Sequence, residues 1–362
     1  MLFNLCIEPA RVAGLNEAEV TALENIGMEC FYGHHLVVST RPALEALVTD
    51  HRLSRSSKAA YVSVLANAAE TDALLRRISR RVDVTMATGP SKAGPVWTVP
   101  LRILGESDIV RNRPEILAEH ISDARFYYCL GWWYWRHSKL RGFTFFADVA
   151  GGGGDNVHGE LDNCANIHPR VVFCIVDSDR AYPEAAIGQT ARKCIEKLKD
   201  DKWHAHLEIL SVRAAENLLP VPWVRYASRG NGPSTEALEL LDSIHECAMT
   251  FLQNYCNVKR GFTICELLKS EVGEIRLLTK TDLSSKVHPF AKAKTCAAQP
   301  RCTRKVCCLK FEGLGGDTLA QVTAWLPEAR EEQTAIMMKD PRIAQLAKTI
   351  FEWGVSSEKR RA

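Results

Sequence analysis

Residues 142–212 alternate between short apolar segments of strand character and segments with the periodicity of amphipathic helices. The strands are expected at 142–149, 170–177 and 205–212, with a helix in each interval. This alternation favours a parallel sheet with right-handed crossovers and helices on its faces. The middle segment, "VVFCIV", is apolar throughout, which is typical of a strand buried on both faces. The sequence therefore predicts an α/β fold built on a parallel sheet.

The 362 residues are enough for two or three domains, and three regions differ in pattern. Residues 1–112 resemble a mixed α/β unit of unknown role, whose Gly- and Pro-rich stretch at 86–100 is predicted to be a loop or boundary. Residues 113–235 carry the parallel sheet and a leading helix from Pro114, whose aromatic residues are expected to pack in a core. Residues 236–362 are expected to be mostly helical, basic and cysteine-containing, with a disordered "SSEKRRA" tail.

Composition places the chain among globular proteins, with 46% hydrophobic and 25% charged residues. No apolar run reaches the roughly 18 residues of a membrane helix. The N-terminus has no basic region before its short apolar run, so no secretory signal is expected. Most of the 13 cysteines stand singly in apolar segments, as buried thiols do. These features predict a cytoplasmic protein without a membrane partner.

Acidic side chains follow the three predicted strands, at the edge where open parallel sheets bind ligands. Asp148 ends the first predicted strand, Asp177 and Asp179 end the second, and Glu216 lies just past the third. In an extended chain residues i and i+2 point to the same side, so Asp177 and Asp179 are expected to converge. Their repulsion favours a bound cation, and hard oxygen ligands favour Mg²⁺ or Mn²⁺. A turn or helix cap also explains Asp179, but it explains Asp177 poorly.

The segments "IVDSDR" and "SVRAAENLLP", in this order of strands and helices, resemble the TOPRIM nuclease domain, in particular that of the OLD (overcoming lysogenization defect) endonucleases. The resemblance covers about residues 140–262 and implies a TOPRIM-like sheet with flanking helices. It also implies a nuclease that hydrolyses phosphodiester bonds, with DNA favoured, by a two-metal mechanism in bacterial anti-phage defence. The implied site has paired metal-binding aspartates, a later acidic ligand and a charge-stabilising lysine, at Asp177, Asp179, Glu216 and Lys259.

Two features depart from the family pattern. Its first motif is usually a Glu followed by Gly and a further acid, whereas here Asp148 takes that position and the next acid, Asp155, lies beyond four glycines. Glu160 is the reserve ligand. The glycines lack the Lys-Ser/Thr of a Walker A motif and the spacing of a dinucleotide fingerprint. Residues 1–112 contain no P-loop ATPase motif, so any ATP dependence would require a separate ATPase or sensor subunit.

Residues 276–310 combine positive charge with cysteines. The segment contains nine Lys and Arg residues and a single acid, so its net charge is +8. This charge favours binding to a nucleic-acid backbone, although a solvated loop has the same composition. With the preceding basic pair, the expected phosphate contacts are Lys259, Arg260, Lys292, Lys294, Arg301, Arg304 and Lys305. The cysteine spacing is not that of paired zinc knuckles, so a Zn²⁺ site and ordinary thiols both stay open for Cys296, Cys302, Cys307 and Cys308.

Three other functions are compatible with parts of the pattern. GT-A glycosyltransferases also place a D-x-D after an apolar strand, where it holds a metal and a nucleotide sugar. HAD phosphotransferases need Thr or Val where Ala181 stands. A TOPRIM-like subunit that has lost catalysis and only binds nucleic acid would keep the basic segment and tolerate the changed first motif.

Overall fold

The computed structural model describes residues 1–68, 74–140, 142–228, 232–246, 250–263 and 310–359. The predicted phosphate contacts and zinc ligands of the basic segment lie outside these residues, namely Lys292, Lys294, Cys296, Arg301, Cys302, Arg304, Lys305, Cys307 and Cys308. Two compact units are present. The first comprises Met1–Ile175, Lys193–Glu208 and Met338–Ala362, and the second comprises Val176–Arg192 and Ile209–Met337. The predicted three-part division stays a prediction.

The described strands are, in chain order, β1 (Leu2–Leu5), β2 (Leu36–Ser39), β3 (Arg81–Thr85), β4 (Ser91–Ala93), β5 (Val96–Pro100), β6 (Glu115–Ala118), β7 (Phe143–Phe145), β8 (Asp148–Gly151), β9 (Val172–Val176), β10 (Ala205–Ile209), β11 (Phe262–Thr263), β12 (Lys310–Phe311) and β13 (Val355–Ser357). The described α-helices are α1 (Glu17–Tyr32), α2 (Arg41–Thr49), α3 (Arg55–Ala66), α4 (Leu101–Gly105), α5 (Ile121–Ser138), α6 (Val157–Asp162), α7 (Gln189–Lys197), α8 (Val221–Ala227), α9 (Thr235–Glu246), α10 (Thr250–Tyr255), α11 (Thr318–Trp325), α12 (Glu331–Thr334) and α13 (Pro341–Gly354). In the part of the chain just given, none of the helices is long and apolar enough to cross a bilayer.

The first unit begins with a five-stranded sheet in the order β2-β1-β3-β5-β4. Strands β1, β2, β3 and β5 run parallel, and β4 runs antiparallel to β5. The prediction of a loop over 86–100 is therefore wrong in part. Gly94 has φ +58° and closes the β4–β5 hairpin, and "VWTV" then alternates between half-buried and buried positions.

A four-stranded sheet in the order β10-β9-β6-β8 forms the parallel sheet that the sequence predicts. Strand β6 pairs in parallel with both β8 and β9. Strand β10 also runs parallel to β9, because Val172 N–H donates to His204 O at 2.8 Å and Leu210 N–H donates to Val176 O at 3.0 Å. Every residue of β9 is buried, which confirms the prediction of a central strand. The molecule is thus an α/β protein with parallel sheets.

Strand order reverses within this sheet. Strand β6 comes first in the chain, β8 lies on one side of it, and β9 followed by β10 lies on the other. The reversal falls between β6 and β9. In doubly wound sheets ligands bind beyond the carboxyl ends of the strands at such a point.

Two elements of this region differ from their predictions. The helix expected from Pro114 begins only at Ile121, because the residues after Pro114 form β6, whose last three are fully buried. The aromatic residues of α5 pack as predicted, with Tyr127 and Trp133 buried. The single strand expected over 142–149 is two strands, β7 and β8. Strand β7 pairs antiparallel with β13, so the tail predicted to be disordered begins with buried strand residues.

The second unit is mostly helical in its described part, as predicted for the C-terminal region. The fully buried Trp223 of α8 packs against Trp325 of α11, and its indole N–H donates to Gln333 O at 2.9 Å. The antiparallel pair β11–β12 adjoins the segment that carries Lys259, because Gly315 N–H donates to Lys259 O at 3.0 Å. This unit also contains Asp177, Asp179 and Glu216.

Candidate functional site

The "DSD" stretch forms a turn directly after β9. Ser178 is buried and its hydroxyl donates to Val212 O at 2.7 Å. Asp179 is exposed, has φ +53° and donates its N–H to Arg213 O at 2.9 Å. Aspartate is one of the few residues besides glycine that adopt this left-handed backbone readily. The prediction that Asp177 and Asp179 converge by strand alternation is therefore wrong, because the chain is no longer extended at Asp179.

Gly188 packs against the Asp179 side chain. A Cβ atom at Gly188 would collide with the Asp179 carboxylate. The Gly188 N–H also donates to Ser178 O at 2.8 Å, which ties the residues before α7 to the turn. Glycine is needed here for close approach and not for an unusual φ angle.

Asp177 is held by the turn that carries Glu216. Its Oδ1 accepts the Ala215 N–H at 3.1 Å, and Glu216 follows in a 3₁₀ turn over Ala215–Leu218. The Glu216 side chain is 4% exposed, and its Oε1 lies 2.8 Å from Lys259 Nζ. A buried carboxylate is costly without a compensating charge, and the Lys259 ammonium supplies that charge. Asp177, Glu216 and Lys259 thus form one chain of contacts within the second unit.

Asn217 fixes the segment that leads to Lys259. The Asn217 side chain is buried, and its Nδ2 donates to Gln253 O at 2.8 Å and to Cys256 O at 3.0 Å. On the other side of Lys259, the Gly315 N–H donates to the Lys259 carbonyl at 3.0 Å. The Lys259 backbone is therefore anchored from both directions, while its side chain is 45% exposed.

A further acid, Glu119, follows β6 at the carboxyl end of that strand. Ala118, the last residue of β6, pairs with Ile175 of β9. The sequence pattern did not reveal Glu119, because the segment was predicted to be helical. One signal in the sequence could have shown Glu119. The apolar residues 116–118 follow Pro114 and end in two polar residues, of which Glu119 is the first, just as the apolar run before Asp177 ends in acids.

The four consecutive glycines pack against the end of β6. The Gly152 N–H donates to Ala118 O at 2.9 Å, and the Gly154 N–H donates to Glu119 O at 2.8 Å. A Cβ atom at Gly151 would lie 2.5 Å from the backbone nitrogen of Ile121. The glycines therefore allow one backbone to approach another, and two of their N–H groups are already engaged rather than facing a phosphate.

Asp148 does not lie where the sequence predicted. It is the first residue of β8 and pairs with Glu115, the first residue of β6. Amino ends and carboxyl ends lie at opposite edges of a parallel sheet, so Asp148 is at the edge away from Glu119. Its carboxylate is half exposed, with Oδ1 3.5 Å from Nη1 of Arg113. The prediction that Asp148 ends a strand is therefore wrong, and its role as a metal ligand stays a prediction. Asp155 lies in the 3₁₀ turn before α6, and Glu160 lies in α6.

The second unit offers oxygen donors of the kind that Mg²⁺ and Mn²⁺ prefer. Asp177, Asp179 and Glu216 provide carboxylates, and Oε1 of Glu216 is a buried oxygen that accepts no hydrogen bond from any described residue. The donor set therefore fits a hard cation in kind. Across the described ranges, however, no three His, Cys, Asp or Glu side chains form a ready-made metal-binding group. Of these carboxylates, Asp177 accepts the Ala215 N–H, and Glu216 contacts the Lys259 ammonium.

Comparison with protein-family models, with curated proteins and with solved structures finds no match to this chain.

Proposed function

We propose that the chain is a divalent-metal-dependent nuclease with a TOPRIM-like sheet, and that it hydrolyses phosphodiester bonds with DNA as the favoured substrate. One observation carries the proposal: Asp177 directly follows the buried strand β9 and is held by the turn that carries Glu216, a buried carboxylate with a lysine partner. Ligands of open parallel sheets bind beyond the carboxyl ends of the strands.

Glu119 supports the family resemblance better than Asp148 does. The first motif of the family is usually a Glu followed by Gly and a further acid. Here Glu119 is followed by His120 in place of the Gly, and Asp123 supplies the further acid. We therefore propose Glu119 as the acid of the first motif. The defence setting, the partner ATPase or sensor, and the zinc site rest on the resemblance and the composition alone.

The side chains have distinct roles in this proposal. Bound Mg²⁺ or Mn²⁺ would supply Lewis-acid stabilisation and an activated water. Asp177, Asp179 and Glu216 would hold the cation through carboxylate oxygens. Lys259 directs positive charge at the phosphate oxygens, where negative charge grows in the transition state. The basic segment 276–310 binds the backbone of the nucleic acid through its charge.

The test is cleavage of supercoiled plasmid, linear DNA and RNA by the purified full chain, with Mg²⁺, Mn²⁺ or EDTA. Asp177→Asn keeps the size of the side chain and an oxygen for the Ala215 N–H but removes the charge. We expect it to lower the cleavage rate by about 100-fold or more, the scale of losing a charge-stabilising group. The exposed Asp242→Asn in the same unit is the matched control and should cleave at the wild-type rate. Equal rates for Asp177→Asn and wild type would refute the proposal.

One observation favours a second candidate function. The segment 276–310 carries a net charge of +8, which suits a subunit that binds nucleic acid without cutting it. The same samples distinguish the two. Salt-sensitive retention of DNA without cleavage in either metal would support the binding subunit.

A further inference from the structure

The contact between Glu216 and Lys259 places a positive charge 2.8 Å from a buried carboxylate oxygen, Oε1 of Glu216. Glu216 is 4% exposed, and Lys259 is 45% exposed, so the ammonium approaches the buried acid from the solvent side. The anchored backbone around Lys259 keeps the ammonium within reach of this oxygen. The pair is therefore a built feature of the second unit and not a surface ion pair between two mobile side chains.

An ammonium and a divalent cation that contact the same carboxylate repel each other. A bound Mg²⁺ lies about 2.1 Å from its oxygen ligands. The ammonium is 2.8 Å from Oε1. The two positive charges would then be only a few ångströms apart beside a poorly solvated carboxylate, where their repulsion is strong. Binding of a divalent cation to Glu216 therefore disfavours the position of the ammonium at Oε1.

We propose, on the basis of the proposed function, that Lys259 is a counter-ion that a divalent cation displaces. In the metal-free protein its ammonium neutralises Glu216 and holds this buried carboxylate in place. A cation that binds Glu216 releases the ammonium toward solvent, where it can meet a phosphate. Metal binding and the availability of Lys259 to an anionic substrate are thereby coupled.

The test is a titration of Mn²⁺ into the full chain, followed by calorimetry and therefore independent of cleavage. Lys259→Met removes the competing charge but keeps an unbranched side chain. We expect it to bind Mn²⁺ about 10-fold more tightly than wild type, because the cation no longer has to displace the ammonium. Arg260→Met removes the same charge at the next, exposed position and should change the affinity by less than about threefold, as screened surface charges do.

The outcomes separate this inference from the proposed function. If neither wild type nor Lys259→Met binds Mn²⁺, both fail. If wild type binds Mn²⁺ but Lys259→Met binds no more tightly than Arg260→Met, only the displaced counter-ion is refuted.

Lys259→Met could fail to fold, since it leaves Glu216 buried and unneutralised. In that case Glu216→Gln is compared with the double variant Glu216→Gln/Lys259→Met, in which no buried charge is left. Equal Mn²⁺ affinities in this pair support the proposal. Tighter binding by the double variant would show that Lys259 acts through some group other than Glu216, and the proposal would be overturned.

Discussion

At the scale of single residues, backbone geometry decides how the acids of the site are presented. The sequence marks Asp177 and Asp179 as chemically important but does not reveal their directions. Asp179 has a left-handed backbone, and its N–H donates to the carbonyl of Arg213, a residue far along the chain. The local sequence pattern does not reveal a hydrogen-bond partner that is so distant in the chain.

Gly188 offers a test of this geometry. In Gly188→Ala the added methyl group meets the Asp179 carboxylate, so the side chain or the turn has to move. We expect a loss of about 1–3 kcal/mol in the free energy of unfolding, the usual scale of overpacking. Urea unfolding measures it. Gly316→Ala is the matched control, since a Cβ at Gly316 meets open space. Equal stabilities of the two variants would show that Gly188 does not pack tightly on Asp179.

At the scale of secondary structure, predictions from long patterns of apolar residues were confirmed, whereas predictions from short apolar runs were wrong. The buried strand β9 and the helices α6 and α7 that precede and follow it were predicted from sequence and confirmed. Strand β6 has four residues, and a short apolar run before a long helix cannot be told from the helix by periodicity. The end of the run is fixed by tertiary contacts, because β6 lies between β8 and β9. Because the residues of β6 were predicted to be helical, Glu119 was not identified as a candidate site residue, and Asp148 was assigned instead.

The glycine loop offers a test at the same scale. Gly151→Ala puts a methyl group against the backbone of Ile121, so we expect it to lose about 1–3 kcal/mol of unfolding free energy. Gly153 has φ +72° and open space around it, and asparagine tolerates such a backbone. Gly153→Asn should therefore stay close to wild type. Thermal unfolding followed by circular dichroism compares the two. A larger loss in Gly153→Asn would contradict the assignment of the loop as a close backbone contact.

At the scale of the whole molecule, buried imidazoles link stability to pH. Burial lowers the pKa of His204 from its ordinary 6.5 to about 4. The His204 side chain therefore binds a proton near pH 6.5 in the unfolded chain but only near pH 4 in the folded chain. Stability accordingly falls as the pH drops through this window, by up to about 3 kcal/mol for this one group. Burial also lowers the pKa of His35, which adds to the loss in the same direction.

This pH dependence can be assigned to His204 by substitution. Between pH 7 and pH 5 we expect wild type to lose about 2 kcal/mol more stability than His204→Gln, which has no titrating group at that position. Urea unfolding at the two pH values gives the difference. The exposed His51→Gln should behave like wild type. A pH dependence of His204→Gln identical to that of wild type would show that the buried imidazole is not responsible.

The central claim is that acids which follow strands of the parallel sheet carry the cleavage reaction, and that Asp148, which begins a strand, does not. Its most direct test is the rate of Mg²⁺- or Mn²⁺-dependent plasmid cleavage by Glu119→Gln and Asp148→Asn, both checked for folding by circular dichroism. Glu119 follows the carboxyl end of β6, whereas Asp148 begins β8 at the opposite edge and pairs with Arg113. We predict that Glu119→Gln lowers cleavage by about 100-fold or more and that Asp148→Asn stays within about twofold of wild type. Loss of cleavage in Asp148→Asn with an active Glu119→Gln would contradict the account.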